Sequence, residues 1–393
     1  MIKKIIILIM LVTIHKCISG QTLSEFLKQV SANNPEIQAY GKLLEARKLE
    51  ALTGLTPPDP FISAGFMPGN TVTPGAKKTW SVTQSFAFPT KYLLQKKINK
   101  NTVLLAEQEF NHGRLLTLLD AQLSVYDLIY NTKALNALKN RKAGFDKLRS
   151  AWGKMLDNNE ATILDYNKVM MELATVNLEI ARREAGIEMA MEKLSYMSGS
   201  DELLMKIKEY PVVPEPDPEK LISEKSAMHP AFLIPEIEYR ISMQEVKLSK
   251  SGSLPEFQVG YASEIIPGET FTGPVGGISI PLWANSNRVR TAAATADHSS
   301  AYRDAVLLKL KSQARSEFSN MKALQKSISE IRDILVSGGG TSFPDAALSN
   351  GEISITAYFL YLDVFYQSED KLLELENEYH KSLAILLDHE LIR

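Results

Sequence analysis

The chain says nearly the same thing twice. Residues 156–166 read Leu-x-Asn-x-Glu-x-x-Ile-x-x-Tyr, and residues 348–358 read the same, 192 positions later. Phe86, Phe88 and Pro89 stand 192 positions before Ile278, Ile280 and Pro281. Further upstream, Asn34-Pro35 matches His229-Pro230, and Pro60, Gly65 and Phe66 match Pro255, Gly260 and Tyr261, all at an offset of 195. Landmarks in one order, with an offset that shifts by three residues, mean a duplicated unit of about 190 residues. Residues 21–210 form the first copy and 219–393 the second. Pro211, Pro214, Pro216 and Pro218 mark residues 211–218 as the linker.

Each copy follows one plan. A helix is expected over Leu23–Leu55 and again over Glu219–Lys250. Two extended segments come next, at Phe61–Phe66 and Thr79–Phe88 in the first copy and at Phe257–Ala262 and Gly276–Ile280 in the second. Trp80, Val82, Gln84 and Phe86 alternate with polar residues at the strand period. The strand region as a whole is read over roughly 59–88 in the first copy and 255–281 in the second. After Pro89 and Pro281 the pattern turns helical. Lys91–Met155 holds no proline, and at 1.5 Å per residue it approaches ~100 Å. Leu115, Leu119, Gln122, Tyr126 and Tyr130 keep helical spacing, as do Val169, Leu173, Val176 and Ile180, and these stripes need partner helices. A turn at 156–160 opens a second helix reaching about Met197, and its counterpart lies at 348–352.

Composition removes several classes. With 44 Lys+Arg against 46 Asp+Glu, the net charge of −2 gives no ground for a nucleic-acid partner. The one cysteine, Cys17, excludes a disulfide framework. Lys3 and Lys4, the apolar run Ile5–Ile14 and the small residues Ser19 and Gly20 have the order of a secretory signal peptide over residues 1–20. The six histidines lack close ligand spacing, and no nucleophile elbow or phosphate loop appears, so no catalytic residue, metal or cofactor is expected. Met170, Met171, Met189, Met191 and Met197 lie on helices and are expected to pack in the core.

Four strands cannot close a barrel, and open sheet edges are prohibitive in lipid. Three chains would supply twelve strands. With this plan in view, the chain resembles the TolC-like outer-membrane efflux proteins over residues 21–393. The likeness rests on the duplicated helix–strand–strand–helix–helix order, Asn34-Pro35, the Phe88-Pro89 and Ile280-Pro281 pairs, and the two helix turns. Residues 346–355, followed by Tyr358, are most similar to the metal-cation efflux branch.

The resemblance implies a mainly α fold with short β hairpins. Three copies would form a β-barrel in the outer membrane of a Gram-negative bacterium and a long α-helical barrel in the periplasm. It implies a passive export duct that docks a periplasmic adaptor and an inner-membrane pump. The adaptor would meet the periplasmic turns at Leu156, Asn158, Asn159 and Glu160 and at Leu348, Asn350, Gly351 and Glu352. Asp165, Glu352 and Asp363 become candidates for a pore constriction, and Glu160, with Glu352 and Asp363, for acidic rings in a trimer. Ala357 and Leu360 stand where many relatives carry the aspartates of a cation-reading ring. Gly338, Gly339, Gly340 and Pro344 would interrupt the helix before the second turn as a hinge, with no equivalent in the first copy. Trp80, Phe86, Phe88, Tyr261, Phe271 and Trp283 are expected in interfacial aromatic belts against outer-membrane lipid. The competing expectation is a secreted helical scaffold or interaction protein without channel activity, whose hairpins have no membrane role.

Overall fold

A computed structural model describes residues 23–69, 75–200, 204–283 and 285–392. The expected leader at 1–20, Cys17 included, and residues 70–74 of the first hairpin lie outside the described residues.

The opening helix of each copy is split, contrary to the continuous helices expected. In the first copy α1 covers 23–33 and α2 covers Pro35–Glu50. Asn34 sits between them, and its Oδ1 accepts the N–H groups of Glu36 and Ile37 at 2.9 and 3.1 Å. The residue before a proline is driven out of helical backbone, while proline itself suits the first position of the next helix. Ahead of the second copy's strands the same division recurs: α5 (Pro218–Met228) gives way to α6 (Pro230–Ser251), with His229 Nδ1 accepting the Ala231 N–H at 3.1 Å.

Four strands then make one antiparallel sheet in the order β1-β2-β3-β4. They are β1 (Phe61–Pro68), β2 (Ala76–Phe86), β3 (Glu256–Ile266) and β4 (Glu269–Ser279). The sheet thus joins the hairpins of both copies, through Thr83↔Gly260 and its neighbours. α3 (Pro89–Asp157) continues from β2 without a break for 69 residues, and α4 (Ile163–Ser198) comes after it. After β4 come α7 (Ser286–Ser337), the short α8 (Ser342–Ser349) and α9 (Ile355–Leu386).

Compact units do not follow the two copies. Among the described residues, one unit comprises 23–40, 113–225 and 311–392; the other comprises 41–112 and 226–310. Each draws on both halves of the sequence, because a single amphipathic hairpin leaves its apolar stripe open until another covers it. In the first unit Leu138 and Phe145 of α3, Val169, Leu173 and Val176 of α4, and Tyr358, Phe359 and Leu362 of α9 form one buried cluster. A second cluster gathers Leu221, Met321, Leu383 and Leu386. The buried stripe of α3 includes Leu115 and Tyr126 as expected, with Leu118, Ala121 and Val125 between them. The methionine expectation fails in part. Met197 is buried, but Met170, Met171 and Met189 are exposed. α4 turns Val169, Leu173 and Val176 inward, and residues one or two positions on lie 100–200° round the helix.

His380 on α9 is stacked on Tyr210, with ring centroids 4.1 Å apart and 8° between planes, and Tyr126 meets both edge-on. Burial, aided by the Lys133 charge, holds the imidazole pKa down at about 4, against 6.5 for a free histidine. Between those values the unfolded chain binds the extra proton. This contribution is therefore fully present above 6.5 and is lost as pH falls toward 4, by about 1.4 kcal/mol per pH unit. Denaturant unfolding at about pH 7 and about pH 5 should show a smaller stability loss for His380→Phe than for the parent. Equal losses would mean that His380 is not held neutral.

Candidate functional site

The sheet belongs to the second unit, and its register sorts side chains into two unlike faces. Ile62, Phe66, Trp80, Val82, Phe86, Phe257, Val259, Tyr261, Ile265 and Ile278 share one face. Each is between 36% and 71% exposed. Lys78 is the one charged strand residue on that face. The opposite face carries most of the polar side chains, with Phe61, Met67, Phe271 and Val275 among them. There Ser63 and Ser81 share a hydrogen bond at 2.8 Å, Gln258 donates to Thr83 at 3.1 Å, and Lys77 pairs with Glu264 at 2.7 Å. Gly65 and Gly260 also lie on it, where a Cβ would run into Thr79 and into Thr83 with the Val82 carbonyl. β1 and β4 are edges, each bonded on one side only.

Trp80, Phe86 and Tyr261 lie together on the apolar face, with Trp80 and Tyr261 centroids 6.1 Å apart. Phe88 lies just past β2, 6.3 Å from Phe257, and Trp283 lies past β4, highly exposed. Phe271 does not join them. The Pro267-Gly268 turn sets a register that pairs Phe271 with Glu264, on the polar face.

The two helix turns belong to the first unit and are built alike. Asn159 and Gly351 have φ of 58° and 72°, and Asn159 is the one non-glycine residue with positive φ among the described residues. Glu160 N–H donates to the Met155 carbonyl at 2.7 Å and Asn159 N–H to Leu156 at 3.1 Å. Glu352 and Gly351 repeat this with Ala347 and Leu348, at 2.9 and 3.1 Å. Both are Schellman closures, which satisfy the last carbonyls of the ending helix. Leu156 and Leu348 are half-buried, whereas Asn158, Glu160, Asn350 and Glu352 are exposed.

The turns differ at the helix that each one opens. Thr162 caps α4, and Asp165 completes a capping box: its carboxylate accepts the Thr162 N–H at 3.2 Å and the hydroxyl at 2.6 Å. Ser354 caps α9 through the Ala357 N–H at 3.2 Å, and Ala357 has no carboxylate to return the bond. Asp165 is thus held locally. Glu352 accepts from Asn350 at 3.3 Å, and Asp363 accepts from Gln367 at 2.9 Å. Asp363 also lines a cleft of about 140 Å³ with Arg141, Glu172 and Asp370.

α7 ends at Ser337, and Gly339 and Gly340 come after it at φ of 70° and 66°. A Cβ on Gly339 would meet the Phe343 ring. Tyr361 on α9 donates to the Gly340 carbonyl at 3.0 Å, and Tyr358 donates to Asp345 on α8 at 2.7 Å. Burial, then Asp345, pushes the Tyr358 pKa far up, so it stays a donor. Pro344 is buried.

Sequence reasoning missed Arg141. Its guanidinium binds both Asp370 oxygens at 2.8 and 3.2 Å and lies 4.1 Å over the Tyr366 ring, fixing α3 to α9. Burial raises the Glu369 pKa, and Arg141 opposes that rise. No group of three or more metal-ligating side chains is present among the described residues. No described helix is long and apolar enough to cross a membrane.

This arrangement matches solved channels. The outer-membrane channel OprN superposes with a TM-score of 0.80 at 14% identity, over 94% of this chain and 89% of that one. The Campylobacter jejuni CmeC outer membrane channel gives 0.77 at 12%, over 94% and 85%. A membrane protein from Pseudomonas aeruginosa gives 0.80 at 12%, over 94% and 92%. The chain has the TolC-like channel fold. The likeness singles out no metal-exporting branch of that fold. No family model matches the sequence, and no curated protein does.

Left-handed backbone costs a non-glycine residue about 1–2 kcal/mol. Gly351→Ala should lower unfolding stability by that amount, while Asn159→Gly should leave it unchanged or raise it. Chemical denaturation of both variants checks this. A neutral Gly351→Ala would mean that the second turn relaxes to right-handed backbone.

Proposed function

We propose that this chain is one subunit of a homotrimeric export duct in the outer membrane of a Gram-negative bacterium. The observation that carries the proposal is the sheet: one exposed apolar face, one hydrogen-bonded polar face, and two open edges. Three copies supply twelve strands, closing the edges, turning the apolar face to lipid and the polar face to a water-filled lumen. Residues 1–20 are the leader to the envelope, and the copies at 21–210 and 219–393 are joined through 211–218. The duct is passive and carries no catalytic step. A periplasmic adaptor engages the turns at 156–160 and 348–352 and couples the duct to an inner-membrane pump. Glu352 and Asp363 supply acidic rings by threefold repetition, where like charges gathered at one constriction favour a cation. Asp165 serves first as a cap. Gly338–Gly340 and Pro344 let the second turn move against α7.

The competing scaffold must keep ten large apolar side chains of one sheet face in water, which soluble surfaces avoid. Fractionated cells should hold the protein in the outer membrane, and mild detergent should extract a trimer. A soluble monomer would end the proposal. In planar bilayers, Glu352→Gln should lower cation selectivity, and Asp165→Asn should change it less. Unchanged selectivity in Glu352→Gln would remove that residue from the constriction.

A further inference from the structure

Both hairpins point their turns to one end of the sheet, so all four helix connections leave from the other: before β1 and β3, and after β2 and β4. At that end, within the second unit, Phe86, Ala87, Pro89, Tyr92, Leu93 and Phe257 line an apolar groove of about 560 Å³. Phe86 and Phe257 are paired residues of the apolar sheet face, so the groove continues that face onto α3.

Beyond the groove α3 is basic. Lys96, Lys97 and Lys100 are exposed, and they form no ion pair among the described residues. No acid occurs from Pro89 to Ala106. Lys91 is the lysine of this stretch that meets a carboxylate, Glu256 at 3.5 Å. Helical spacing places the three lysines relative to the groove. Pro89, Leu93 and Lys97 are successive steps of four, and Lys96 and Lys100 lie three and seven residues beyond Leu93, so all share one helix face. At 1.5 Å per residue, the ammonium-bearing residues begin about 5 Å past the groove's last apolar residue and extend to about 10 Å. The second copy lacks this arrangement. Arg288 stands 192 positions after Lys96, but Glu245 lines the same groove as Arg288.

We infer that the groove and Lys96, Lys97 and Lys100 together form a binding site for an anionic phospholipid, its acyl chain in the groove and its phosphodiester headgroup on the lysines. An aromatic-rimmed apolar surface succeeded within two helical turns by unpaired cations matches the change from hydrocarbon to phosphate at a bilayer surface. This inference rests on the duct proposal, because the sheet must stand in a bilayer for lipid to reach the groove.

The test uses the full protein in lipid nanodiscs containing phosphatidylethanolamine with phosphatidylglycerol. Lipids retained after gentle detergent release are counted by native mass spectrometry. The parent should retain phosphatidylglycerol preferentially, with each Lys→Gln change at 96, 97 and 100 reducing that preference by roughly fivefold. The triple Lys→Arg variant should keep it. No preference in the parent, or an undiminished one in the triple Lys→Gln variant, would overturn the site. Abolition of the preference by millimolar inorganic phosphate would also overturn it, assigning the lysines to a free anion. Failure to enter any nanodisc would instead remove the duct proposal and the site with it, and this outcome is told apart by the absence of retained lipid of either kind.

Discussion

An antiparallel sheet of four strands has two rows of backbone N–H and C=O groups that its own chain cannot meet. In water those rows are solvated; in hydrocarbon each unmet group costs several kcal/mol. Here the conflict is sharp, because the face formed by Ile62, Trp80, Val82, Val259 and Tyr261 favours an apolar surrounding while β1 and β4 forbid one. Additional strands from identical chains meet both demands at once. The polar face fits the same solution: Ser63, Ser81, Thr83 and Gln258 satisfy one another across the strands and leave an interior compatible with water.

Duplication supplies the parts, and the copies differ in how each turn is held. The two Schellman turns are superposable in their hydrogen bonds. Around them the copies part. The first turn sits between an unbroken 69-residue α3 and a helix locked by a reciprocal capping box. The second sits between the short α8, set off from α7 by three glycines, and a helix capped from one side alone. Tyr358–Asp345 and Tyr361–Gly340 partly restore what the glycines give up, tying α8 and the break to α9.

Much of this was legible in the residues. Strand alternation at Trp80–Phe86 gave the apolar face, and Asn159 and Gly351, which take positive φ, stand at matched places of the repeat. The helix breaks at Asn34 and His229 were present as X-Pro pairs, but each lies in a long polar–apolar pattern that otherwise continues as helix. The face taken by Phe271 could not be read from the sequence, because a strand's face depends on the register set at its turn, and one residue of slip reverses every side chain. The Met170–Met171 pair was misplaced because methionine is apolar enough for a core and flexible enough for a surface. Arg141 could not be found at all. Its partner Asp370 is 229 residues away, and nothing local distinguishes that ion pair from a solvated one.

The asymmetry at residues 165 and 357 bears on charge as well as stiffness. Matched positions after the two turns would have given each chain two equivalent carboxylates, and three chains a ring of six. Instead one position is alanine, and the other, Asp165, spends its oxygens on the N–H and hydroxyl of Thr162. A carboxylate so engaged stabilises its own helix start, and its negative charge suits the N-terminal end of the α4 dipole. Glu352 is differently placed: it is exposed, one residue past the left-handed Gly351, and touched by the Asn350 amide at 3.3 Å. Glu160 stands at the matched place of the first turn, also exposed and one residue past the left-handed Asn159, so in the proposed trimer each turn brings one exposed carboxylate, and the second turn is the one that the glycine break separates from α7. The first copy joins an unbroken α3 to a helix with a reciprocal capping box; the second has a break before its turn and a cap from one side.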